Sequence, residues 1–371
     1  MHRASYRVFL GGDLMTARGV DQILPHPGDP RLYEAYVQDA RDYVRLAERR
    51  NGPISPPVDF TYVWGVALQA LQRRRVNLRL VNLETALTRR GQPQAKGINY
   101  RMNPANLALL EVAGIDCCVL ANNHVLDWGE AGLIDTLHSL DKLGLQHAGA
   151  GLSLAAAETP AILPLADRRR LLLFAWATPD CGVPPDWAAD ERRPGVARLE
   201  NLSAHSLERV AARIAAAKRP GDLIVVSLHW GGNWGFAIAP EQVRFAHGLI
   251  DQAGVDVLYG HSSHHIKALE VYRQRLILYG CGDLLDDYEG IDSHAGYRAD
   301  LGLLYFAELA ADGRLLALEL QPTRQRRLSI QAAEGADRQW LLDSLLRECA
   351  GFACSVRPDS GQGFSLVWPA R

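Results

Sequence analysis

The sequence predicts an α/β fold in which two mixed β-sheets pack face to face with helices on the outside. Three observations support this prediction. Short apolar runs rich in β-forming residues recur along the chain, amphipathic helical patterns alternate with them, and the later part of the chain pairs such runs into hairpins. The first five strand-like runs span positions 6–10, 78–83, 117–120, 223–228 and 255–259.

Helical patterns separate these runs, at positions 60–72, 104–113, 130–143, 206–217 and 241–253. Pro104 suits a first helical turn, and Glu208 places a negative charge in the first turn of its helix. Two strand pairs follow, at 268–271 with 276–279 and at 303–309 with 315–320. Asp312-Gly313 between the last two runs is a typical hairpin turn.

The composition is that of a globular protein with a large core. Of the 371 residues, 48% are hydrophobic and 22% are charged, and no repeat or linker divides the chain. We therefore predict a single domain over residues 1–371. The segment 19–60 is the least regular part, with prolines around a helical pattern at 32–50. It is predicted to form either a lid or substrate-recognition insert, or a plain surface excursion.

Charge and cysteine content bear on partners and compartment. The 40 basic and 42 acidic residues are spread along the chain and leave a net charge of −2, so we expect no nucleic-acid partner. The six cysteines form no Cys-x-x-Cys pair, which predicts buried free thiols in a reducing environment. No apolar stretch reaches the roughly 18 residues of a membrane span. We expect a cytoplasmic protein without a membrane anchor.

Polar residues of the types that bind metals follow the ends of the strand-like runs. They are Asp13, Glu84, Asn123, His229 and His261. Because α/β folds place their sites at the carboxyl ends of strands, we expect these side chains to converge. Carboxylates, amide oxygens and neutral imidazoles suit a hard or borderline divalent ion, and the lack of cysteine among them disfavours a thiolate-rich zinc site.

Six segments share the order and spacing of a known family. They are GGDLMTARGVD (11–21), VNLETALT (81–88), LANNHVLDWGEAGLIDTL (120–137), VSLHWGGNWG (226–235), YGHSSHH (259–265) and LILYGCGDLLDDYEG (276–290). Together they resemble CapA-like proteins, a family associated with poly-γ-glutamate capsule synthesis within the calcineurin-like metallophosphatase superfamily. The resemblance implies the calcineurin-like fold and a metal site in loops that follow successive strands.

The resemblance also implies roles for individual residues. The implied metal ligands are Asp13, Glu84, Asn123, His229 and His261, and His264 in the last of these loops is added as a further candidate. His124 matches a catalytic histidine, and Asp127 three residues later would orient its imidazole. Asp13 is a candidate for a catalytic role as well as for metal binding.

Two departures from the superfamily pattern bear on the metal. A histidine usually stands two residues after the first aspartate, but this chain has Met15, which does not serve a hard metal. A further histidine of many relatives is replaced here by Ser262. We therefore predict one oxygen-rich ion, either calcium, manganese or magnesium, and keep a dinuclear site as the alternative.

The superfamily branch that epimerises lasso-peptide precursors gives the most specific functional prediction. A metal-dependent peptide epimerase would use His124 and His294, each with an acid partner, to exchange a Cα proton from opposite faces. Asp292 lies close to His294 in the sequence. The expected substrate is a peptide or an amino-acid polymer.

Substrate contacts are predicted at Trp230, Asn233 and Asp283, although the tryptophan is equally compatible with core packing. Two other functions remain open. One is metal-dependent hydrolysis of a phosphoester or a γ-glutamyl amide, with a metal-bound water as nucleophile. The other is a non-catalytic subunit of a polymer-synthesis complex, which the complete set of ligand-type residues argues against.

Overall fold

The structure, a computed structural model, describes residues 5–291 and 294–369. Its strands are β1 Ser5–Leu14, β2 Leu78–Leu83, β3 Ala86–Leu87, β4 Arg101–Met102, β5 Cys117–Val119, β6 Gln146–Ala148, β7 Ala150–Gly151, β8 Ala161–Pro164, β9 Arg170–Ala177, β10 Gly195–Val196, β11 Leu223–His229, β12 Val257–His261, β13 Leu269–Tyr272, β14 Arg275–Leu278, β15 Asp283–Leu285, β16 Leu301–Ala310, β17 Leu315–Gln325, β18 Ile330–Ala332, β19 Ser355–Pro358 and β20 Phe364–Val367. Its α-helices are α1 Gly19–Ile23, α2 Arg41–Asn51, α3 Val66–Arg74, α4 Ala108–Val112, α5 Gly129–Leu143, α6 Leu154–Ala157, α7 Ala204–Ala217, α8 Pro240–Ala253 and α9 Gly335–Cys349.

Two large mixed sheets organise the fold. The first has ten strands in the order β19-β20-β17-β16-β1-β2-β5-β6, with β15 beside β1 and β18 beside β17. Within it, β1 runs parallel to β2 and antiparallel to β16. The second sheet has six strands in the order β13-β14-β12-β11-β9-β8. Its inner strands β9, β11, β12 and β14 are parallel, and the edge strands β8 and β13 are antiparallel to their neighbours.

The two sheets pack face to face because side chains alternate along the inner strands of the second sheet. Leu171 and Leu173 of β9 join the core shared with the first sheet. Leu172 and Phe174 of the same strand point the other way and pack with residues of α7 and α8, among them Val210. Sheets in the middle with helices outside confirm the predicted fold class. A single domain remains a proposal, which the core shared by both sheets supports.

Several predicted elements have different boundaries in the structure. The helical pattern at 60–72 becomes a short 3-10 turn and then α3, because Gly65 lies between them with a φ of 44°. A Cβ at this glycine would meet the Ile330 carbonyl oxygen at 2.1 Å, so the close approach requires glycine. The helix predicted at 32–50 begins only at Arg41, where the Asp39 carboxylate accepts a backbone hydrogen bond of 2.9 Å from the Arg41 N–H.

The prediction of buried free thiols is confirmed, since all six cysteines are buried and free. Within residues 5–291 and 294–369, no helix has the length and apolar character needed to cross a membrane.

Tyr259 of β12 ties the second sheet to the first. Its buried hydroxyl lies against the main-chain carbonyls of Gly11 and Leu80, which belong to β1 and β2. We predict that Tyr259→Phe lowers the free energy of unfolding by about 1–3 kcal/mol, because a buried carbonyl loses its donor. Urea denaturation followed by circular dichroism measures this loss.

The matched control is Tyr33→Phe, because the Tyr33 side chain is 49% exposed. Its unfolding free energy should change by less than about 0.5 kcal/mol. Equal losses in the two variants would show that the Tyr259 hydroxyl does not join the sheets energetically.

Candidate metal centre and active site

The predicted ligands converge where strands of the two sheets end side by side. Asp13 lies near the end of β1 and Glu84 directly follows β2, both in the first sheet, whereas His229 ends β11 in the second. One ligand atom from each of these three residues lies within 4.8 Å of the others, and all three side chains are buried. His261, which ends β12, is the residue paired with His229 in the β11–β12 register.

A close approach between β1 and β15 explains the Gly-Gly-Asp sequence before the site. A Cβ on Gly12 would lie only 1.9 Å from the Gly282 carbonyl oxygen, so this position requires glycine. The same carbonyl accepts a hydrogen bond of 3.0 Å from the Asp13 N–H. The glycine therefore lets the two strands come together in a way that holds Asp13 at the base of the site.

The Asp13 carboxylate is buried and fully hydrogen-bonded. Its Oδ1 accepts from the Asn82 amide at 2.8 Å and lies 2.8 Å from His261 Nδ1, and its Oδ2 accepts from the Ser262 N–H at 3.2 Å. Burial works to raise the pKa of Asp13, but the bond from His261 and the nearby imidazoles outweigh it and hold the pKa below its ordinary value. Asp13 is therefore ionised, as a metal ligand must be.

The Glu84 carboxylate is buried next to a second carboxylate, that of Asp13. Burial and the neighbouring Asp13 carboxylate raise the pKa of Glu84 well above its ordinary value. A divalent cation between these two carboxylates would remove their repulsion. His261 Nε2 supports the same conclusion, since it is buried and has no hydrogen-bond partner among the described residues. The donor set therefore fits a metal ion.

Asn123 and His229 complete this group. The Asn123 Oδ1 lies 3.1 Å from His229 Nε2, which is itself 3.9 Å from a Glu84 oxygen. Burial lowers the pKa of His229 to about 3, so its ring is neutral at physiological pH. Neutral imidazole is the form that binds metals. The structure thus brings together the five predicted ligands Asp13, Glu84, Asn123, His229 and His261.

A second group of ligand type adjoins the first. One atom each from Asp13, His264 and Asp283 lies within 4.8 Å of the others, because β15 pairs with β1 and sets Asp283 beside Asp13. Burial works to lower the pKa of His264, but the Asp283 carboxylate 3.0 Å away outweighs it and raises the pKa above its ordinary value. Met15 stays out of both groups and packs in a small apolar cluster with Tyr100.

His124 and Asp127 form the predicted pair. His124 Nδ1 lies 2.6 Å from Asp127 Oδ2, which also accepts from the Tyr100 N–H at 2.6 Å. The His124 ring stacks on the Tyr100 ring with centroids 4.1 Å apart, and its Nε2 lies 3.8 Å from a Glu84 oxygen. Burial lowers the pKa of His124 to about 4. A neutral, oriented imidazole next to the metal-type ligands can accept a proton.

Sequence reasoning missed Lys96. Its ammonium lies 2.8 Å from Asp127 Oδ1 and also contacts the Asn123 carbonyl oxygen, with His124 Nδ1 at 3.5 Å. Lys96 therefore neutralises the carboxylate that orients His124. It lies in the irregular segment 88–100, which carries no strand or helix pattern that would have pointed to it.

Two asparagines were also missed, although both stand inside the family motifs. The Asn82 amide donates to Asp13 and to a Glu84 oxygen, at 2.8 and 3.2 Å. Asn122 donates to Asn82 Oδ1 at 3.0 Å, and its own Oδ1 accepts from the His124 N–H at 3.1 Å. This chain of amides links the carboxylates to the histidine. The VNLE and ANNH motifs contain both asparagines, but the sequence analysis assigned roles only to Glu84, Asn123 and His124 within them.

A cavity of about 390 Å³ opens over these groups. His124, His264, Asn233 and His294 all line it, so the structure places the two predicted proton-transfer histidines on one cavity. The His294 ring stacks on Trp234 with centroids 4.1 Å apart. Asp292, the predicted acid partner of His294, lies outside the described residues.

Segment 19–60 reaches this cavity. Tyr36 and Arg50 contribute to its lining, as does Arg18, which directly precedes the segment. The Arg18 guanidinium is 3% exposed and donates to the Glu34 carboxylate at 2.9 Å. It also forms an ion pair with Asp287, which follows β15. The segment is thus attached to the loop that follows β15 by a buried ion-pair network.

Trp230 does not line the cavity. It is 2% exposed, packs in the core between the second sheet and its helices, and donates its indole N–H to the Tyr279 carbonyl at 3.0 Å. We therefore withdraw it as a substrate-binding residue, because no face of the ring is free. Asp283 lies beneath the cavity beside His264, and Asn233 lies at its surface.

Comparison with known proteins identifies the family. Residues 7–288 match the family described as bacterial capsule synthesis protein PGA_cap. A probable polyglutamine synthesis accessory protein of Mycobacterium tuberculosis (strain CDC 1551 / Oshkosh) is 47% identical over 358 residues, which cover 95% of this chain and 94% of that protein. The PGA biosynthesis protein CapA of Bacillus subtilis (strain 168) is 29% identical over 192 residues, covering 52% of this chain and 48% of that protein. The chain belongs to the PGA_cap family of CapA-like proteins in the metallophosphatase superfamily.

Proposed function

We propose that this protein is a metal-dependent enzyme that inverts a Cα centre in a peptide or amino-acid polymer by acid/base chemistry. The observation that carries the proposal is that His124 and His294 line one cavity next to a group of metal-ligand type. The relatives are named for polyglutamine synthesis, PGA biosynthesis and capsule biosynthesis, and these names favour an amino-acid polymer as the substrate.

The proposed metal ligands are Asp13, Glu84, Asn123, His229 and His261, with His264 at the adjoining group. When bound there, the ion would supply positive charge that stabilises an enolate-like carbonyl of the substrate. The carboxylate and amide oxygens suit calcium, manganese or magnesium, and of these three ions manganese accepts the imidazole donors most readily. The two adjoining groups share Asp13, so a dinuclear site remains an alternative.

His124 is proposed as one proton-transfer group. Asp127 holds its Nδ1, so Nε2 is the atom left for the substrate. Asp127 would also stabilise the imidazolium that forms when His124 accepts the Cα proton. Tyr100 keeps the ring in place by stacking on it.

His294 is proposed as the second proton-transfer group, which returns a proton to the opposite face of the same carbon. Trp234 stacks on its ring and restricts the ring's orientation towards the cavity. Inversion requires two such groups, because a single base returns the proton to the face from which it came.

Metal-dependent hydrolysis of a γ-glutamyl amide or a phosphoester is the second candidate. The observation that favours it is that His124 Nε2 lies 3.8 Å from Glu84, on the same wall as the ligand group. A histidine in that position can protonate a leaving group without help from His294.

The proposed ligands can be tested by removing them one at a time. Asp13→Ala and His229→Ala should each lower metal affinity by at least about tenfold, because each removes a donor from one compact group. Elemental analysis of the purified variants after dialysis measures the bound ion. Asp312→Ala is the control, since that side chain is 58% exposed in a hairpin, and it should retain the metal. Unchanged metal in both test variants would refute the ligand assignment.

The proposed inversion can be tested with a model substrate. Incubated in heavy water with the native protein, a γ-linked oligoglutamate should gain deuterium at one Cα and change its stereochemistry there. His124→Gln and His294→Gln should each slow inversion by about 10²-fold to 10⁴-fold. Mass spectrometry and chiral amino-acid analysis measure both changes. His138→Gln, an exposed substitution on α5, should behave as the native protein.

A different pattern would identify a hydrolase. Cleavage of the oligomer, strong impairment in His124→Gln and normal rates in His294→Gln would reject inversion. The metal assignment would be unaffected by that outcome.

The role of Lys96 can be tested by substitution. Lys96→Met should lower kcat by about tenfold with little change in KM, because Asp127 loses its cation and His124 its fixed orientation. Lys96→Arg should recover most of the activity, since it restores the charge. Lys142→Met, exposed on α5, is the control. Equal kcat values for the methionine variant and the native protein would exclude a positioning role.

A further inference from the structure

We propose that Ser262 is a positioning residue, which holds the turn at 231–235 against the metal centre and through this turn keeps His294 over the cavity. The inference rests on the proposed function, because it concerns the second of the two proton-transfer histidines. It adds a residue that inversion requires and that metal binding does not.

The turn that follows β11 runs beside the segment 261–267, which we call the ligand loop because it carries the proposed ligands His261 and His264. Four hydrogen bonds join the two segments, and the bonded positions advance together along both. The bonds join Trp230 with His261 at 3.4 Å, Gly231 with Ser262 at 2.8 Å, Asn233 with His264 at 3.1 Å and Ala237 with Lys267 at 3.1 Å. The position of the turn is therefore set by the ligand loop.

Packing contributes little to holding the glycines of this turn. Gly232 and Asn233 are exposed. A Cβ on Gly232 or Gly235 would meet no atom of the described residues within 4 Å beyond its own chain neighbours. Gly231 and Gly235 have φ values of 76° and 114°, which glycine adopts easily. A segment with so few packing contacts opens locally unless hydrogen bonds hold it.

Ser262 bonds to the turn and to the metal centre at once. Its Oγ donates to the Gly231 carbonyl oxygen at 2.8 Å, and its N–H donates to Asp13 Oδ2 at 3.2 Å. The side chain is 2% exposed. One buried residue therefore connects a proposed metal ligand with the turn.

The backbone of Ser262 is strained in a way that serves both bonds. Its φ is 92°, whereas the other non-glycine residues with positive φ in the described chain lie between 47° and 62°. A residue with a Cβ rarely adopts such a conformation, and it persists only where the surrounding contacts fix it. The two bonds of Ser262 supply such contacts.

Trp234 carries the effect of the Ser262 bond to His294. Its ring stacks on the His294 ring with centroids 4.1 Å apart and lies 5.5 Å from the His264 ring. His294 is itself exposed, so a shift of the turn would move the Trp234 ring and release the imidazole that stacks on it. His124 does not depend on this turn, because Asp127 and Tyr100 hold its ring.

Ser262→Ala tests the hold on the turn. It removes the Oγ bond but keeps the N–H that Asp13 accepts, so the metal bound after dialysis should be unchanged by elemental analysis. The amide hydrogens of 231–237 should exchange at least about threefold faster than in the native protein, because a lost hydrogen bond raises the population of locally open states. Hydrogen exchange followed by mass spectrometry measures this rate.

The same variant tests the effect on the reaction, with a γ-linked oligoglutamate in heavy water. Inversion at Cα should fall by about tenfold or more, because His294 is misplaced. Deuterium should still enter the Cα with retained configuration, because His124 is intact. A general loss of structure or of metal would slow both processes to the same extent.

Ser262→Gly is the second variant. It removes the same hydroxyl, and glycine adopts a φ of 92° without strain, so it should fold and give the same three results. Ser329→Ala is the matched control, since the Ser329 side chain is 4% exposed and its hydroxyl donates to the Tyr62 carbonyl oxygen at 2.6 Å. It should behave as the native protein in all three measurements.

Unchanged hydrogen exchange at 231–237 in both Ser262 variants would overturn the inference. Equal slowing of inversion and of deuterium entry, or loss of bound metal, would also overturn it. Failure of the proposed function is distinguishable, because the native protein would then show no Cα deuteration. Hydrogen exchange would still show in that case whether Ser262 holds the turn.

Discussion

The structure depends on a buried negative charge at the junction of its two sheets. The Asp13 carboxylate belongs to the first sheet, but it is held by Asn82 from that sheet and by His261 and Ser262 from the second. A buried carboxylate is stable only when it is hydrogen-bonded and its charge is balanced by nearby donors. Both sheets must therefore be packed together before the Asp13 charge is stabilised. The same contacts therefore stabilise both the packing of the two sheets and the candidate site.

Much of this arrangement could be predicted from the sequence. Acidic and histidine residues stand at the ends of apolar runs, and strand ends converge in α/β folds, so the grouping of Asp13, Glu84 and His229 follows from pattern and order alone. The fold class follows from the same alternation of strand and helix patterns. The residues at strand ends form local patterns, and the alternation of strand and helix patterns repeats along the chain. Both kinds of pattern are visible in a sequence.

Other features have no local pattern. Lys96 reaches His124 and Asp127 from an irregular segment, and nothing in its neighbours distinguishes it from a solvated lysine. Trp230 stands within a conspicuous motif, yet it directly follows β11 and packs in the core between the second sheet and its helices, away from the cavity. Helix α3 starts late because Gly65 meets a carbonyl more than 260 positions further along the chain, at Ile330. Contacts of this kind exist only once distant segments have met.

The buried Arg18, directly before segment 19–60, restricts movement on one side of the cavity. Separating Arg18 from Glu34 and Asp287 would leave charged groups without partners in a poorly hydrated place, which is costly. This side of the cavity therefore behaves as a fixed wall. Elsewhere in the cavity lining, the Trp234 ring contacts the His294 ring by stacking, with centroids 4.1 Å apart. Separating these two rings would leave no buried charge without a partner, so this contact costs less to break than the ion pairs of Arg18.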